Sequence, residues 1–271
     1  MPELPEVETV KNHLSSLIKG EVIKSVEVRW DNLIANVSKI EFESKLKNQK
    51  INEIKRKAKY LIFELNNFYL LSHLRMEGKY ILKNDLSLNK HDHIIFYLES
   101  KKFLIYNDVR KFGKFYLFNK ETDIFKEKPL SLIGVEANSN ELTFSYLKEK
   151  FEKKNIAIKT VLLDQSVLSG LGNIYANEVL FKALVNPHKL ASSLNDLEIN
   201  NIIKYSKEIL DKAILLGGTT IRSFKVDDID GRFQNDLNVH MKKTCPKCGE
   251  LISKDFINKR SSYYCKSCQK L

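Results

Sequence analysis

The chain has 271 residues, enough for one large or two modest hydrophobic cores, and is 43% hydrophobic and 29% charged, a globular composition. Lys plus Arg number 45 against 34 Asp plus Glu, a formal charge of +11, which points to a polyanionic partner: nucleic acid first, an acidic membrane surface second. No run approaches the roughly 18–20 apolar residues of a membrane helix, and the acidic, Pro-punctuated start Met1-Pro2-Glu3-Leu4-Pro5-Glu6 is unlike a signal or transit peptide, so no membrane partner and a cytoplasmic location are expected.

Val7, Val10, Leu14 and Leu17 recur at helical spacing and Gly20 supplies a stop, predicting a helix over 5–19. β-rich runs follow at 22–30, 60–65, 68–74, 94–98, 103–106 and 114–118, separated by polar connectors such as 83–93. Short strands at this spacing predict an antiparallel sandwich or barrel, with the helix in front of it, as a first domain over 1–134. The texture then becomes helical, at 142–151, 157–163 and 173–184, the last entered through the tight break Ser169-Gly170-Leu171-Gly172. A longer helix carries Ile199, Ile202, Ile203, Ile209, Leu210 and Ile214. Ser193 and Asp196 predict its capping box, and Gly217-Gly218 its stop. Thr219–Leu237 reads as a polar, mobile loop. These pieces make a second domain over 135–236 and leave 237–271 as a third.

All four cysteines lie in that last segment. Cys245, Cys248, Cys265 and Cys268 are spaced C-x2-C-x16-C-x2-C, and two such knuckles place four thiolates tetrahedrally around one Zn²⁺. In a reducing compartment this is a metal site rather than a pair of disulfides. Four thiolates leave no open coordination position, so the metal is structural. Eight Lys/Arg against Glu250 and Asp255 between Lys242 and Lys270 make the module basic, the character of a phosphate-facing ribbon.

Pro2 is a small residue after which initiator Met is commonly removed. Its exposed secondary amine would titrate near ~8, leaving a usable neutral fraction at physiological pH. A neutral amine attacks an aldehyde-like carbon to form an iminium. Glu3 and Glu6 stand beside it, and a carboxyl near the reacting carbon can move protons.

At this point the motifs converge. Met1-Pro2-Glu3-Leu4-Pro5-Glu6-Val7-Glu8-Thr9 resembles the N-terminus of bacterial formamidopyrimidine-DNA glycosylases, enzymes that remove 8-oxoguanine and ring-opened purines. The resemblance continues in order through Arg56-Lys57-Ala58-Lys59-Tyr60-Leu61, His73-Leu74-Arg75-Met76-Glu77-Gly78 and Lys90-His91-Asp92-His93. It runs on through Asn107-Asp108-Val109-Arg110-Lys111-Phe112-Gly113, Gly170-Leu171-Gly172-Asn173-Ile174-Tyr175-Ala176, Gly217-Gly218-Thr219-Thr220 and the four-Cys finger. It implies an α+β multidomain fold: an N-terminal antiparallel β-sandwich with a leading helix, a helix-two-turn-helix domain and a C-terminal zinc finger, with double-stranded damaged DNA in the cleft. With no coiled coil in the sequence, a monomer is expected.

The resemblance also implies roles. Pro2 would attack the anomeric carbon of the sugar, expel the damaged base and hold the sugar as a Schiff base. Glu3 would protonate the opening ring, Lys59 would donate the proton for β-elimination, and Arg260 would bind the phosphate that leaves in δ-elimination. Such chemistry requires the nucleotide to be flipped from the stack. Met76, Arg110 and Phe112 would fill the hole, with the guanidinium fork on the orphaned cytosine and the aromatic ring wedged into a base step. His91, Lys154 and Asn173 would contact phosphates, Asn173 at a helix start where anions and N-caps both belong. Glu6 would orient the N-terminal helix. Strand alternation would send Arg110 and Phe112 to one face. Val109 and Lys111 depart from the Pro and Arg often found in the family, and Lys111 lacks the bidentate fork. A sister branch acting on oxidised pyrimidines usually has Gly where this chain has Leu4. A DNA-binding protein without catalysis accounts for the charge and the finger but not for Pro2, Glu3 and Lys59 together.

Overall fold

The computed structural model describes residues 1–219 and 231–271. Helix α1 (Leu4–Ile18) buries Val7, Val10 and Leu14 as expected. Ile18 completes the stripe, four residues after Leu14, while Leu17 is 37% exposed. After it come β1 (Val22–Val28), α2 (Lys39–Leu46), β2 (Gln49–Lys57), β3 (Tyr60–Leu65), β4 (Phe68–His73), β5 (Lys79–Lys83), β6 (Asp92–Leu98), β7 (Phe103–Asn107) and β8 (Lys114–Asn119).

The eight strands form one hydrogen-bonded series in the order β5-β7-β6-β1-β2-β3-β4-β8, antiparallel throughout. At its middle, β1 and β2 pair only through Val22↔Lys50 and Ile23↔Gln49, and the register shifts just beyond on both strands. The series folds over at this weak seam, because Tyr106 of β7 lies edge-on to Phe115 of β8 at 4.8 Å although six places separate their strands. The result is the expected sandwich. Its core takes Leu61, Phe63 and Leu117 from one half, Ile94, Phe96 and Leu104 from the other, and Phe42 from α2. Three elements here gave no sequence signal. β2 carries mostly Lys, Arg, Asn and Glu around Ile51 and Ile54, β5 has five residues, and α2 buries only Phe42 and Leu46.

The chain divides into two compact units: Met1–Pro2, Glu6–Ser131 and Thr219 belong to this one, and Glu3–Pro5, Leu132–Gly218 and Gly231–Leu271 to a second. The second unit holds the short parallel pair β9 (Val135–Glu136) and β10 (Leu168–Ser169), with helices α3 (Phe144–Glu152), α4 (Ile158–Leu162), α5 (Asn173–Lys182) and α6 (Asp196–Leu215). Leu147, Phe151, Val161, Tyr175, Val179, Ile202 and Leu210 pack into one core. The capping box of α6 is not Ser193/Asp196. Asn195 accepts from the Glu198 N–H at 2.9 Å and Glu198 accepts from the Asn195 N–H at 2.9 Å, while Ser193 closes a 3-10 turn with its hydroxyl on the Leu190 carbonyl. Both pairs have the sequence pattern, and the extended backbone at Asn195 decides between them.

The expected loop over 219–237 needs correction at its C-terminal end. Phe233–Asp236 is a 3-10 turn with Phe233 buried against Tyr175. Residues 220–230, including Asp227 and Asp228, lie outside the described residues. The chain ends in the hairpin β11 (Ser253–Ile257) and β12 (Arg260–Tyr264), turned by Asn258 and Lys259 at φ 46° and 61°, the pair of left-handed residues a two-residue hairpin demands.

Candidate active site and nucleic-acid interface

Pro2 and Glu3 are both buried. Helix α5 starts with Gly172 at its N-cap and no side-chain cap of its own. The Glu3 carboxylate supplies one. It accepts the N–H of Gly172 at 2.6 Å, of Ile174 at 2.9 Å and of Tyr175 at 3.4 Å. The first amides of a helix are unpaired donors at the positive end of its dipole, so this is a natural seat for an anion. Leu4 fastens the same segment by donating its N–H to the Gly170 carbonyl at 3.1 Å. A Cβ at Gly172 would stand 2.3 Å from the Glu3 carboxyl carbon, so only glycine permits the approach. Asn173 is therefore not the N-cap. It is the first helical residue, its Nδ2 lies 3.4 Å from the Ser261 hydroxyl, and its buried Oδ1 has no hydrogen-bond partner among the described residues.

Glu6 turns its buried carboxylate to Thr219, accepting from the backbone N–H at 2.8 Å and the hydroxyl at 3.1 Å. Lys59 is buried in the two-residue turn between β2 and β3, closed by the pair Lys57↔Tyr60. Arg56 braces this turn by donating to the Ala58 carbonyl at 3.0 Å and to Glu8 at 2.6 Å. His73 faces Tyr60 edge-on across the neighbouring strand. Burial, then the charges of Arg75 and Lys59, push the His73 pKa down to about 3, so the ring is neutral and accepts the Arg75 N–H on Nδ1 at 2.9 Å.

Met76, Arg110 and Phe112 sit on two loops of the sandwich. Met76 is half-buried, and Arg110 and Phe112 are exposed. Arg110 lies over the Phe112 ring at 4.8 Å, so the two do share a face. Strand alternation is not the cause, since residues 108–113 form a turn. Asp108 shapes it, its carboxylate accepting the N–H groups of Arg110, Phe112 and Gly113 at 2.9–3.0 Å. Gly78 and Gly113, at the bases of the two loops, both press on the Tyr106 hydroxyl, which a Cβ at either would meet at 2.1 or 1.8 Å. One buried tyrosine thus underlies both loops. His91 stands at the same root, its carbonyl accepting the Asp108 N–H at 3.0 Å.

In the second unit, Lys154 and Arg260 line one cavity of about 330 Å³ together with Thr160, Asp164 and Asn258. Lys154 is 3.9 Å from Asp164, and Arg260 is exposed at the first position of β12. The hairpin is held from below by Lys159, which is fully buried and donates to the Ser261 carbonyl at 2.7 Å and the Ser262 hydroxyl at 2.8 Å. Burial pushes the Lys159 pKa down to about 7, against the pull of Glu3 and with the push of Arg260. Glu178 of α5 accepts the N–H groups of Asn238, Val239 and His240 at 2.7–3.0 Å, anchoring the segment that leads into the finger. Lys159, Glu178 and the Arg56–Glu8 brace gave no signal in sequence, because each draws its meaning from a partner more than 40 residues away.

The four cysteine sulfurs lie within 4.8 Å of one another, with Cys245–Cys268 at 3.9 Å and Cys248–Cys265 at 3.4 Å. A tetrahedral Zn²⁺ with Zn–S near 2.3 Å requires sulfurs about 3.8 Å apart, so the cage fits the ion.

A sandwich carrying an N-terminal Pro-Glu pair, a helix-two-turn-helix domain and a basic four-cysteine finger define a base-excision DNA glycosylase with a structural zinc. Residues 1–115 match the formamidopyrimidine-DNA glycosylase N-terminal domain, 133–225 its H2TH domain and 242–271 the zinc finger found in FPG and IleRS. Formamidopyrimidine-DNA glycosylase of Bacillus subtilis (strain 168) is 44% identical, and that of Rickettsia canadensis (strain McKiel) 42%, each over 99% of both chains. Among solved structures, the Lactococcus lactis enzyme with abasic-site DNA superposes with a TM-score of 0.93 over 100% of both chains at 38% identity. The same enzyme with Fapy-dG DNA superposes at 0.91, again 38% identical, over 99% of this chain and 100% of that one. The chain belongs to the formamidopyrimidine-DNA glycosylase family, and its four cysteines hold one structural zinc ion.

Proposed function

We propose that the protein excises oxidised purines, 8-oxoguanine and formamidopyrimidines, from double-stranded DNA and then nicks the strand. The neutral amine of Pro2, freed by removal of Met1, attacks C1′ of the flipped nucleotide. The C1′–N bond to the base breaks, the sugar ring opens with protonation of its oxygen by Glu3, and an iminium links Pro2 to the sugar. Water takes a C2′ proton, the C3′–O bond breaks and the 3′ phosphate leaves, with Lys59 donating a proton to the departing phosphate. A second elimination expels the 5′ phosphate, which Arg260 binds as it leaves. Hydrolysis of the iminium frees the enzyme and leaves a one-nucleotide gap bounded by phosphates.

Met76, Arg110 and Phe112 fill the vacated stack. His91, Lys154 and Asn173 grip phosphates, and Glu6 orients α1. The division at 1–134, 135–236 and 237–271 follows from these tasks: chemistry and wedge, phosphate grip, and finger. The protein acts as a monomer in the cytoplasm, on DNA of the nucleoid.

The observation that carries this reading is the seat of Glu3. Three amides at the start of α5 fix a carboxylate one residue from the nucleophile. The test is borohydride trapping on a duplex with 8-oxoguanine opposite cytosine, alongside a thymine-glycol duplex. The expected result is a covalent band on the first whose cross-linked peptide begins at Pro2. A band mainly on the second would transfer the protein to the pyrimidine branch. Fully active protein that retains Met1 by intact mass would remove Pro2 from its role.

A further inference from the structure

Trp30 is the chain's single tryptophan, and it stands 36% exposed, outside the residues that form the sandwich core. The ammonium of Lys111 lies 3.8 Å from the centroid of its ring, well inside cation–π range. Lys111 itself adopts φ +57°, a left-handed conformation that costs any residue with a Cβ some energy. Its neighbours Arg110 and Phe112 stay together at 4.8 Å, while Lys111 is turned onto the indole.

The backbones on either side of this contact are tied. The Arg29 N–H donates to the His93 carbonyl at 2.8 Å, and the neutral His93 ring donates from Nε2 to the Asp108 carbonyl at 2.9 Å. On the far side, Lys114 reaches the Asn32 carbonyl and the Ala35 N–H donates to the Phe115 carbonyl at 2.9 Å. Trp30 therefore sits on a fixed base at the head of the 31–33 turn and grips the middle of the 108–113 turn.

We propose that Trp30 is a positioning residue for the wedge. By holding Lys111 it keeps the turn in the one conformation that presents Arg110 and Phe112 side by side, which matters only when a duplex has to be opened. The inference rests on the reading of Arg110 and Phe112 as the residues that fill the vacated stack. It assigns Lys111 to the indole rather than to a phosphate. Because Trp30 lies outside the core, removing its ring opens no cavity there.

Two substrates separate positioning from chemistry: a duplex with 8-oxoguanine opposite cytosine, and a single strand with a preformed abasic site, which has no orphaned base and no stack to fill. Trp30→Leu and Lys111→Met should each slow single-turnover excision from the duplex by about two- to fivefold, the worth of an exposed cation–π contact. Both should cleave the single strand at the wild-type rate. Trp30→Phe, which keeps an aromatic face, should recover most of the duplex rate, and the double variant should be no worse than either single one. The emission of Trp30 should change in Lys111→Met, an assignment the single tryptophan makes unambiguous. Equal losses on both substrates, or none on the duplex, would overturn the proposal, as would a Trp30→Phe protein that behaves like Trp30→Leu. So would a loss confined to Lys111→Met, which would place Lys111 directly on DNA. If the wild-type protein cleaved neither substrate, the proposed chemistry would fail instead.

Discussion

Held by the amides of Gly172, Ile174 and Tyr175, the Glu3 carboxylate has a fixed position only because residue 172 lacks a Cβ. Gly172 is at φ −130°, which alanine adopts freely, so Gly172→Ala acts through steric displacement of Glu3 and not through backbone strain. Displacing a catalytic group by about 1 Å can cost roughly 10²-fold in rate. Single-turnover base excision by Gly172→Ala should fall by that order while affinity for abasic DNA stays near wild type; a parallel loss of both would mean that the helix start itself had collapsed. His73 makes a second residue-scale prediction. Its pKa is pushed down to about 3 by burial and then by the charges of Arg75 and Lys59, so the folded protein keeps the ring neutral while the unfolded chain protonates it below about 6.5. The stability this represents is complete above about 6.5 and is lost as the pH falls toward 3. In an NMR titration the His73 ring signals should not move between pH 8 and pH 5, and a midpoint above 5 would contradict the burial described for it.

Helix α6 shows how an element can be legible while its boundary is not. Its apolar stripe reads directly from Ile199, Ile202, Ile209 and Leu210, but two overlapping Ser/Asn and Asp/Glu pairs compete for its start. Asn195→Ala should destabilise the protein by about 1 kcal/mol in urea denaturation, and Ser193→Ala by much less. Helix α5 was legible in the same way, from Asn173 onward, yet its cap comes from Glu3, 169 residues away from Gly172 in sequence. Its Glu178, which a local reading would place on a solvated face, is fully buried and holds the approach to the finger. Strand β2 failed to announce itself because only Gln49, Ile51 and Ile54 are buried and a register shift breaks its alternation.

At the scale of the whole chain, stability is divided among a sandwich and a helical domain, each with a large apolar core, and a finger with very little. Around the finger the buried cluster amounts to Phe181, Val239, Cys245 and Cys265. A module this short draws much of its folding free energy from its metal. Chelation should therefore abolish specific binding to lesion DNA and lower the unfolding transition of the second unit, leaving the sandwich transition in place, as read by calorimetry with and without added zinc. A single transition that moves as one would show that the metal stabilises the entire molecule.

The sequence by itself determined the kinds of element and the chemistry available. Apolar periodicity marked the helices, alternation marked the better strands, and the spacing of Cys245, Cys248, Cys265 and Cys268 specified a zinc cage, because these signals are local and repeat at fixed intervals. The ordered motifs from Pro2 to the finger pointed to the family for the same reason. The tertiary structure alone decided which groups meet. It seats Glu3 on α5, lays Lys159 under the hairpin of Arg260, puts Tyr106 beneath two loops and parks Lys111 on Trp30. Most of these are contacts between groups distant in the chain, and the energy of all of them depends on burial and on the direction of a donor or a ring, which no local pattern encodes.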